Sequence, residues 1–204
     1  MPEETRVAVR DAEATRRRIL QAATTEFAAY GLAGGRVARI AAAARANQRM
    51  IYAYYGSKDG LFDAVLAHHV AAAHAAVPFD AEDLPGHAQR VFDFYRAHPE
   101  MVRLALWQSL ERPELMGRLP EVAAALAEKT AAVGRAQEAG HLTSEVPADR
   151  LLDQVLTLAH GNITGAARPG TWTEQQREAL GRAVAALVGP RPAEAPRAAD
   201  GGGA

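Results

Sequence analysis

Residues 37–62 read VARIAAAARANQRMIYAYYGSKDGLF, and this stretch decides the fold. Val37, Ile40, Ala41 and Ala44 stand at i, i+3, i+4 and i+7, the inward stripe of a short amphipathic helix over 37–44. Arg45 and Ala46 interrupt it, and Asn47 is a good N-cap for a helix from Gln48 to about Tyr54. Gly56 breaks that helix. Ser57 then caps another, Lys58 to about Ala76, with Asp59 favourably placed in its first turn and Leu61, Phe62, Val65 and Leu66 on its buried face. Two helices joined by so short a turn cross steeply only where side chains are small, and Ala41, Ala42 and Ala44 meet that need. The pattern is a helix-turn-helix. Its second helix anchors inward through Ile51 and Tyr55 and offers Gln48, Arg49, Tyr52 and Tyr54 outward. A DNA major groove admits one helix, in which Arg49 suits a guanine, Gln48 an adenine, and Tyr52 a phosphate or a thymine methyl.

Upstream, Ile19, Leu20, Ala23, Phe27 and Tyr30 repeat at helical spacing and predict a helix from about Ala12 to Tyr30, stopped by Gly31 as a left-handed cap. Residues 1 to about 11 are expected to lack structure. The net charge of −1 hides an asymmetry. From Ala14 to Lys58 there are eight basic residues (Arg16, Arg17, Arg18, Arg36, Arg39, Arg45, Arg49 and Lys58) and one acid, Glu26, for a net +7. From Asp59 onward 13 basic residues face 19 acidic ones. Phosphate binding needs only such a local positive face. A solvated helix accounts for the Arg16–Arg18 run, but not for the scarcity of acids across the whole stretch.

Downstream, five more helices follow. They are Leu84–Ala97, Pro99 to about Glu111, Pro120 to about Ala139, Asp149 to about Ala167, and one capped by Thr173 that ends near Gly189. Gln176 completes a capping box with Thr173. Residues 190–204, rich in Pro, Ala and Gly, read as a disordered tail. Abundant alanine and few β-branched residues make the chain all-α, with about nine helices. The absence of cysteine excludes disulfides and thiolate metal sites and points to a reducing cytoplasm. No apolar run approaches the roughly 20 residues of a membrane helix, and the start lacks a secretory apolar core.

From about Thr15 to Val65 the chain resembles the DNA-binding domain of TetR-family regulators. The resemblance rests on Arg18-Ile19-Leu20, Ala22-Ala23, Phe27, Tyr30-Gly31, Val37, Ile40-Ala41, Ile51-Tyr52, Tyr54-Tyr55, Ser57-Lys58 and Leu61-Phe62, and above all on the order IYAYYGSKDGLF. The resemblance implies a helix-turn-helix domain over 12–57 and a helical ligand-binding and dimerisation domain over 58–189. It implies that Gln48–Tyr54 reads a major groove, that Tyr52 contacts phosphate or base, and that Lys58 holds a phosphate beside a helix N-terminus. Arg36 replaces the family's usual capping Thr, Arg45 its turn glycine, and Met50 a frequent Thr. The DNA-contacting set is thus Arg36, Arg45, Asn47, Gln48, Arg49, Met50, Tyr52, Tyr54 and Lys58.

The resemblance further implies a ligand pocket among helices five to seven, and a four-helix bundle built by helices eight and nine with a second subunit. Leu151, Leu152, Val155, Leu156, Leu158 and Ala159, with Leu180, Val184, Leu187 and Val188, are broad apolar faces that fit either such a dimer or intrachain core. Phe92, Tyr95, Met101, Leu104, Trp107, Gln108, Met116 and His160 are the ligand candidates, each of which also suits plain core. His68, His69 and His74 lack the i, i+4 geometry of a helical metal site and read as a surface or interdomain cluster. No metal, cofactor or catalytic residue is expected, since GxSxG, phosphate-loop, HExxH and EF-hand patterns are absent. The expected function is that of a dimeric, ligand-released transcription repressor on a palindromic operator. The alternatives are an activator, or a helical small-molecule-binding or interaction protein that never touches DNA.

Overall fold

Gly31 divides the first helix. In the computed structural model, which describes residues 3–114, 120–164 and 172–189, α1 covers Glu3–Gly34, and Gly31 inside it has φ 70° and ψ −177°. This is not the left-handed cap conformation but an extended, positive-φ one that only glycine adopts without strain. One further turn, Leu32–Gly34, leaves the break in a new direction. The unstructured start expected for residues 1–11 is not observed from Glu3 onward.

The remaining elements are α2 (Val37–Ala44), α3 (Gln48–Tyr55), α4 (Lys58–Ala76), α5 (Leu84–Ala97), α6 (Pro99–Glu111), α7 (Pro120–Glu138), α8 (Ala148–Thr164) and α9 (Glu174–Val188). The described residues contain helices only. The caps are those the sequence predicts. Asn47 accepts from the Arg49 amide at 2.9 Å, Ser57 from Gly60 at 2.9 Å, and Thr173 from Gln176 within a complete capping box. The last turn expected of α8, to Ala167, and the tail 190–204 lie outside the described residues.

Two apolar cores result. The first gathers Ile19, Ala23 and Phe27 of α1, Val37, Ile40 and Ala44 of α2, Ile51 of α3, and Leu61, Phe62, Val65 and Leu66 of α4. Phe27 meets Phe62 edge-on at 5.1 Å. This core therefore runs past residue 57 into the first half of α4. The second gathers Val91 and Phe92 of α5, Leu151, Leu152 and Val155 of α8, and Leu180, Val184 and Val188 of α9.

The α2–α3 turn is a Schellman motif with arginine at the glycine position. Arg45 sits at φ 50°, ψ 45°; its amide bonds Ala42 O at 3.2 Å, and the Ala46 amide bonds Ala41 O at 2.9 Å. The turn geometry thus survives the replacement of glycine, at a cost of about 1 kcal/mol for a left-handed non-glycine residue. At Gly31 no such tolerance exists. A Cβ there would lie 2.7 Å from Glu111 Oε1 and 2.8 Å from Trp107 Cε3 of α6. Gly31→Ala is therefore expected to destabilise the fold by about 3 kcal/mol through backbone strain and overpacking together. Urea unfolding of the variant checks this, and a loss under about 1 kcal/mol would mean that the break can relax.

Candidate nucleic-acid interface and ligand cavity

The outward side of α3 carries Gln48, Arg49, Met50 and Tyr52, all exposed, while Ile51 is fully buried beneath them. Tyr54 is placed differently from the outward position expected. It is half-buried, packs against the first core, and lies under the Arg16 guanidinium at 4.7 Å. Its neighbour Tyr55 reaches the Arg16 carbonyl at 3.5 Å, so both rings tie α3 to α1. Asn47 is exposed but uses its side-chain oxygen as the α3 cap.

The basic residues of this region divide into two groups. Arg18 donates to Ala44 O at 3.3 Å and so completes the C-terminus of α2. Arg39 forks onto Glu26 through Nε at 2.8 Å and covers the Tyr30 ring at 4.5 Å. Lys58, expected at a phosphate, donates to Ala33 O and Gly35 O at 3.3 Å each and holds the exit of α1. By contrast, the side chains of Arg17, Arg36, Arg45 and Arg49 are exposed and, among the described residues, form no hydrogen bond or ion pair. Four uncommitted guanidinium groups on and around a helix-turn-helix are what a polyanion meets.

Glu26 was not a candidate, yet it organises this face. It is buried, accepts the Arg36 amide at 2.9 Å, and so performs the N-capping of α2 that Arg36 itself does not. Burial pushes its pKa up, but the hydrogen bonds and charges of Arg39 and Arg36 outweigh that and hold it below the ordinary value. The signal available in the sequence was its solitude, as the one acid between Ala14 and Lys58.

A cavity of about 350 Å³ lies between the second half of α4 and helices α5, α6, α7 and α8. Tyr95, Met101, Leu104, Gln108 and His160 line it. Phe92 and Trp107 do not. Phe92 is buried in the second core against Trp172, with ring centroids 5.0 Å apart. Trp107 leaves α6 on its other side and donates Nε1 to Ala28 O at 3.3 Å. Met116 lies outside the described residues. Gln108 donates to Arg112 O at 2.8 Å, so its amide nitrogen serves the end of α6.

The polar lining was largely unanticipated: His69, His74, His87 and Lys129 join His160 and Tyr95. His68 is exposed and outside the lining, with its ring edge-on to His69 at 5.5 Å between centroids. His69 Nε2 lies 2.9 Å from Thr24 Oγ1 on α1, and Thr24 in turn donates to Leu20 O. Burial lowers the pKa of His69, His74 and His160, and the Lys129 charge depresses the last two further. His160 retains accessible surface yet is crowded enough for desolvation to dominate.

With the geometry in place, the comparisons decide the lineage. The profile described as "Bacterial regulatory proteins, tetR family" matches residues 19–65, and that described as "Tetracyclin repressor-like, C-terminal domain" matches residues 83–189. The chain belongs to the TetR family. It is 43% identical over 157 residues to the HTH-type transcriptional repressor SCO4008 of Streptomyces coelicolor, covering 76% of this chain and 81% of that one. It is 39% identical over 116 residues to the HTH-type transcriptional repressor NicS of Pseudomonas putida, covering 53% and 54%. Among solved structures, the transcriptional regulator SCO4942 from Streptomyces coelicolor superposes with a TM-score of 0.73 at 33% identity, covering 87% of this chain and 99% of that one.

TetR-family proteins are DNA-binding transcription regulators, so a helical module that never meets DNA is set aside. They act as dimers with small-molecule effectors. The apolar residues first read as dimer faces are another matter in this TetR-family chain. Leu151, Leu152, Val155, Leu180, Val184 and Val188 are buried within the single chain. The exposed residues of α9 include a row of small ones, Ala179, Ala183 and Ala186, beside the charged Glu178 and Arg182. Among the described residues no helix is long and apolar enough to cross a membrane.

His87 gives this TetR-family domain a measurable pH response. It is 2% exposed, its Nδ1 lies 3.3 Å from Pro78 O, and burial first, with Lys129, Arg90 and His160 nearby, brings its pKa down to about 4. Asp83 also neighbours it. A depressed histidine stabilises fully above its unfolded pKa near 6.5, and that stability drains as pH falls towards the folded value. His87→Gln is expected to remove on the order of 2 kcal/mol of the stability lost between pH 7 and pH 4. Urea midpoints across that range check it. Parallel pH curves for wild type and variant would place the acid sensitivity elsewhere.

Proposed function

We propose that this chain represses transcription as a cytoplasmic homodimer and leaves a near-palindromic operator when a small molecule fills the α4–α8 cavity. The carrying observation is the set of uncommitted cations, Arg17, Arg36, Arg45 and Arg49, around an α3 that also exposes Gln48 and Tyr52. Two relatives of the chain are named repressors. In this reading residues 12–57 hold the DNA. Arg49 and Gln48 read bases, Tyr52, Arg36 and Arg45 hold phosphates, Met50 touches the groove by apolar contact, and Asn47, Tyr54 and Lys58 position α3 and its flanks. Residues 58–189 bind ligand and dimerise. Helices α8 and α9 pair with their counterparts through the small exposed residues of α9, and the two α3 helices then fall one DNA turn apart.

Helix α4 belongs to both parts. Its first half, through Leu66, is sealed in the first core, and its second half presents His69, Val70, Ala73 and His74 to the cavity. A ligand that displaces this second half tilts α4 and changes the separation of the reading helices. Such release requires different ligand affinities for the bound and released states. The His69–Thr24 contact at 2.9 Å carries the shift to α1.

Selection from random duplex DNA tests the reading. A near-palindromic site is expected, with affinity falling at least tenfold in Arg49→Ala and Tyr52→Ala and falling steeply with salt. A folded dimer that enriches no site would defeat it. The same operator then serves a displacement screen. Thr24→Val is expected to keep operator affinity within about twofold while raising several-fold the compound concentration that releases DNA. Unchanged release would remove Thr24 from the coupling.

A further inference from the structure

The cavity has a chemical polarity that restricts its occupant. Its walls are mainly aliphatic and aromatic, including Leu66, Val70, Val91, Phe94, Met101 and Leu126. Into them are set one ammonium group, Lys129 of α7, the Tyr95 hydroxyl and four imidazoles, but, among the described residues, no carboxylate. Lys129 is half-buried, with its Nζ 5.5 Å from the Phe79 ring and no hydrogen bond or ion pair among the described residues. Tyr95 makes ring contacts with Phe94 and His160 and, among the described residues, no hydrogen bond through its hydroxyl. Two donors thus open onto one apolar space, and among the described residues neither has a hydrogen-bond partner. The histidines cannot neutralise Lys129, because an imidazole is either neutral or a cation, and burial together with the Lys129 charge lowers the pKa of His74, His87 and His160. The acids acting on this set, Glu100 on His69 and Asp83 on His87, are not part of the lining.

Taking the ligand-responsive reading above as its basis, we infer that the effector is a compact amphipathic organic anion, with a carboxylate seated on Lys129 and Tyr95 and an apolar body among α4, α5 and α6. Charge sets the preference. A carboxylate gains a charge-assisted bond to the ammonium and a second donor in the phenol. A neutral amide of the same shape gains less, and an organic ammonium would place a second cation against Lys129 with no counter-charge in the lining. Volume sets the size. About 350 Å³ is at the small end of the roughly 300–1,000 Å³ range of ligand sites, so short arylalkyl or medium-chain acids fit.

Calorimetric titration of the full chain at pH 7.5 with octanoate and 4-phenylbutanoate, against octanamide and octylammonium, tests this. Saturable binding of at least one acid is expected, one molecule per chain and at least tenfold tighter than amide or ammonium. Lys129→Met should lose about tenfold or more of the acid affinity, and Lys129→Arg should recover most of it. The inference is overturned if the amide or the ammonium binds as tightly as the acids. It is equally overturned if neither acid binds up to 5 mM, or if Lys129→Met binds them like wild type. Operator affinity of each preparation, measured alongside, separates the two levels. Intact DNA binding with no preference for anions sinks this inference alone, whereas absent DNA binding sinks the regulator reading.

Discussion

A helix broken in its interior exposes both kinds of orphan backbone group at one point, and this structure is organised around how they are met. At Gly31 the carbonyls that end the long part of α1 and the amides that begin its last turn face the same neighbour, α6. Arg103 donates to Ala28 O at 2.7 Å and to Ala29 O at 3.4 Å, and Trp107 adds its indole N–H to Ala28 O. One turn further along α6, Glu111 accepts the Leu32 amide at 2.7 Å and the Ala33 amide at 3.1 Å. A cation meets the negative helix end and an anion meets the positive one, the arrangement the helix dipole favours. Only glycine allows α6 to come this near. The DNA-binding half is thereby fixed to a helix whose opposite side lines the ligand cavity.

The charge distribution of the first quarter makes sense under the same principle. A run of eight cations with one acid could not fold as a compact face if every cation stayed solvated and repelled its neighbours. Arg16, Arg18, Arg39 and Lys58 are therefore directed onto backbone carbonyls, an aromatic ring or Glu26, where each stabilises a helix end or a crossing. Glu26 does most by being alone, since one buried carboxylate caps α2 and pins Arg39 together. The cations left over, Arg17, Arg36, Arg45 and Arg49, remain exposed.

What could be read from the sequence was what depends on near neighbours. Caps such as Asn47, Ser57 and Thr173 act within three residues, and apolar periodicity reports one helix at a time, so helix order, the helix-turn-helix and most boundaries followed. Features that depend on which neighbour a helix side meets did not. Leu104 and Trp107 are three residues apart and both apolar, yet one faces the cavity and the other grips α1. Tyr54 reads as outward on a helical wheel and is instead drawn under Arg16. Lys129, on an alanine-rich helix, looks like an ordinary surface lysine, because nothing local says that α7 closes a cavity. His68 and His69 are adjacent in sequence and opposite in role for the same reason. The faces of α8 and α9 fit intrachain core and dimer equally until the second core shows the larger side chains already buried.

Two helices, not one, join the cavity to the reading head, and they differ in how they can respond. Helix α4 is continuous, so movement at His74 reaches Leu61 as a tilt of a rod whose first half is embedded in the core. Helix α6 is tied by charge-assisted bonds to the broken end of α1, so it resists sliding but can pivot about Arg103 and Glu111. In the proposed release, a ligand wedged between Met101 and Leu104 on α6 and Val70 and Ala73 on α4 would push these helices apart. Because α6 is held at α1, the displacement falls mainly on the second half of α4, which lies beyond the first core. The clamp at Gly31 thus gives the fold a fixed point against which α4 can move, and a weaker clamp would let the same ligand shift both helices together without changing the orientation of α3.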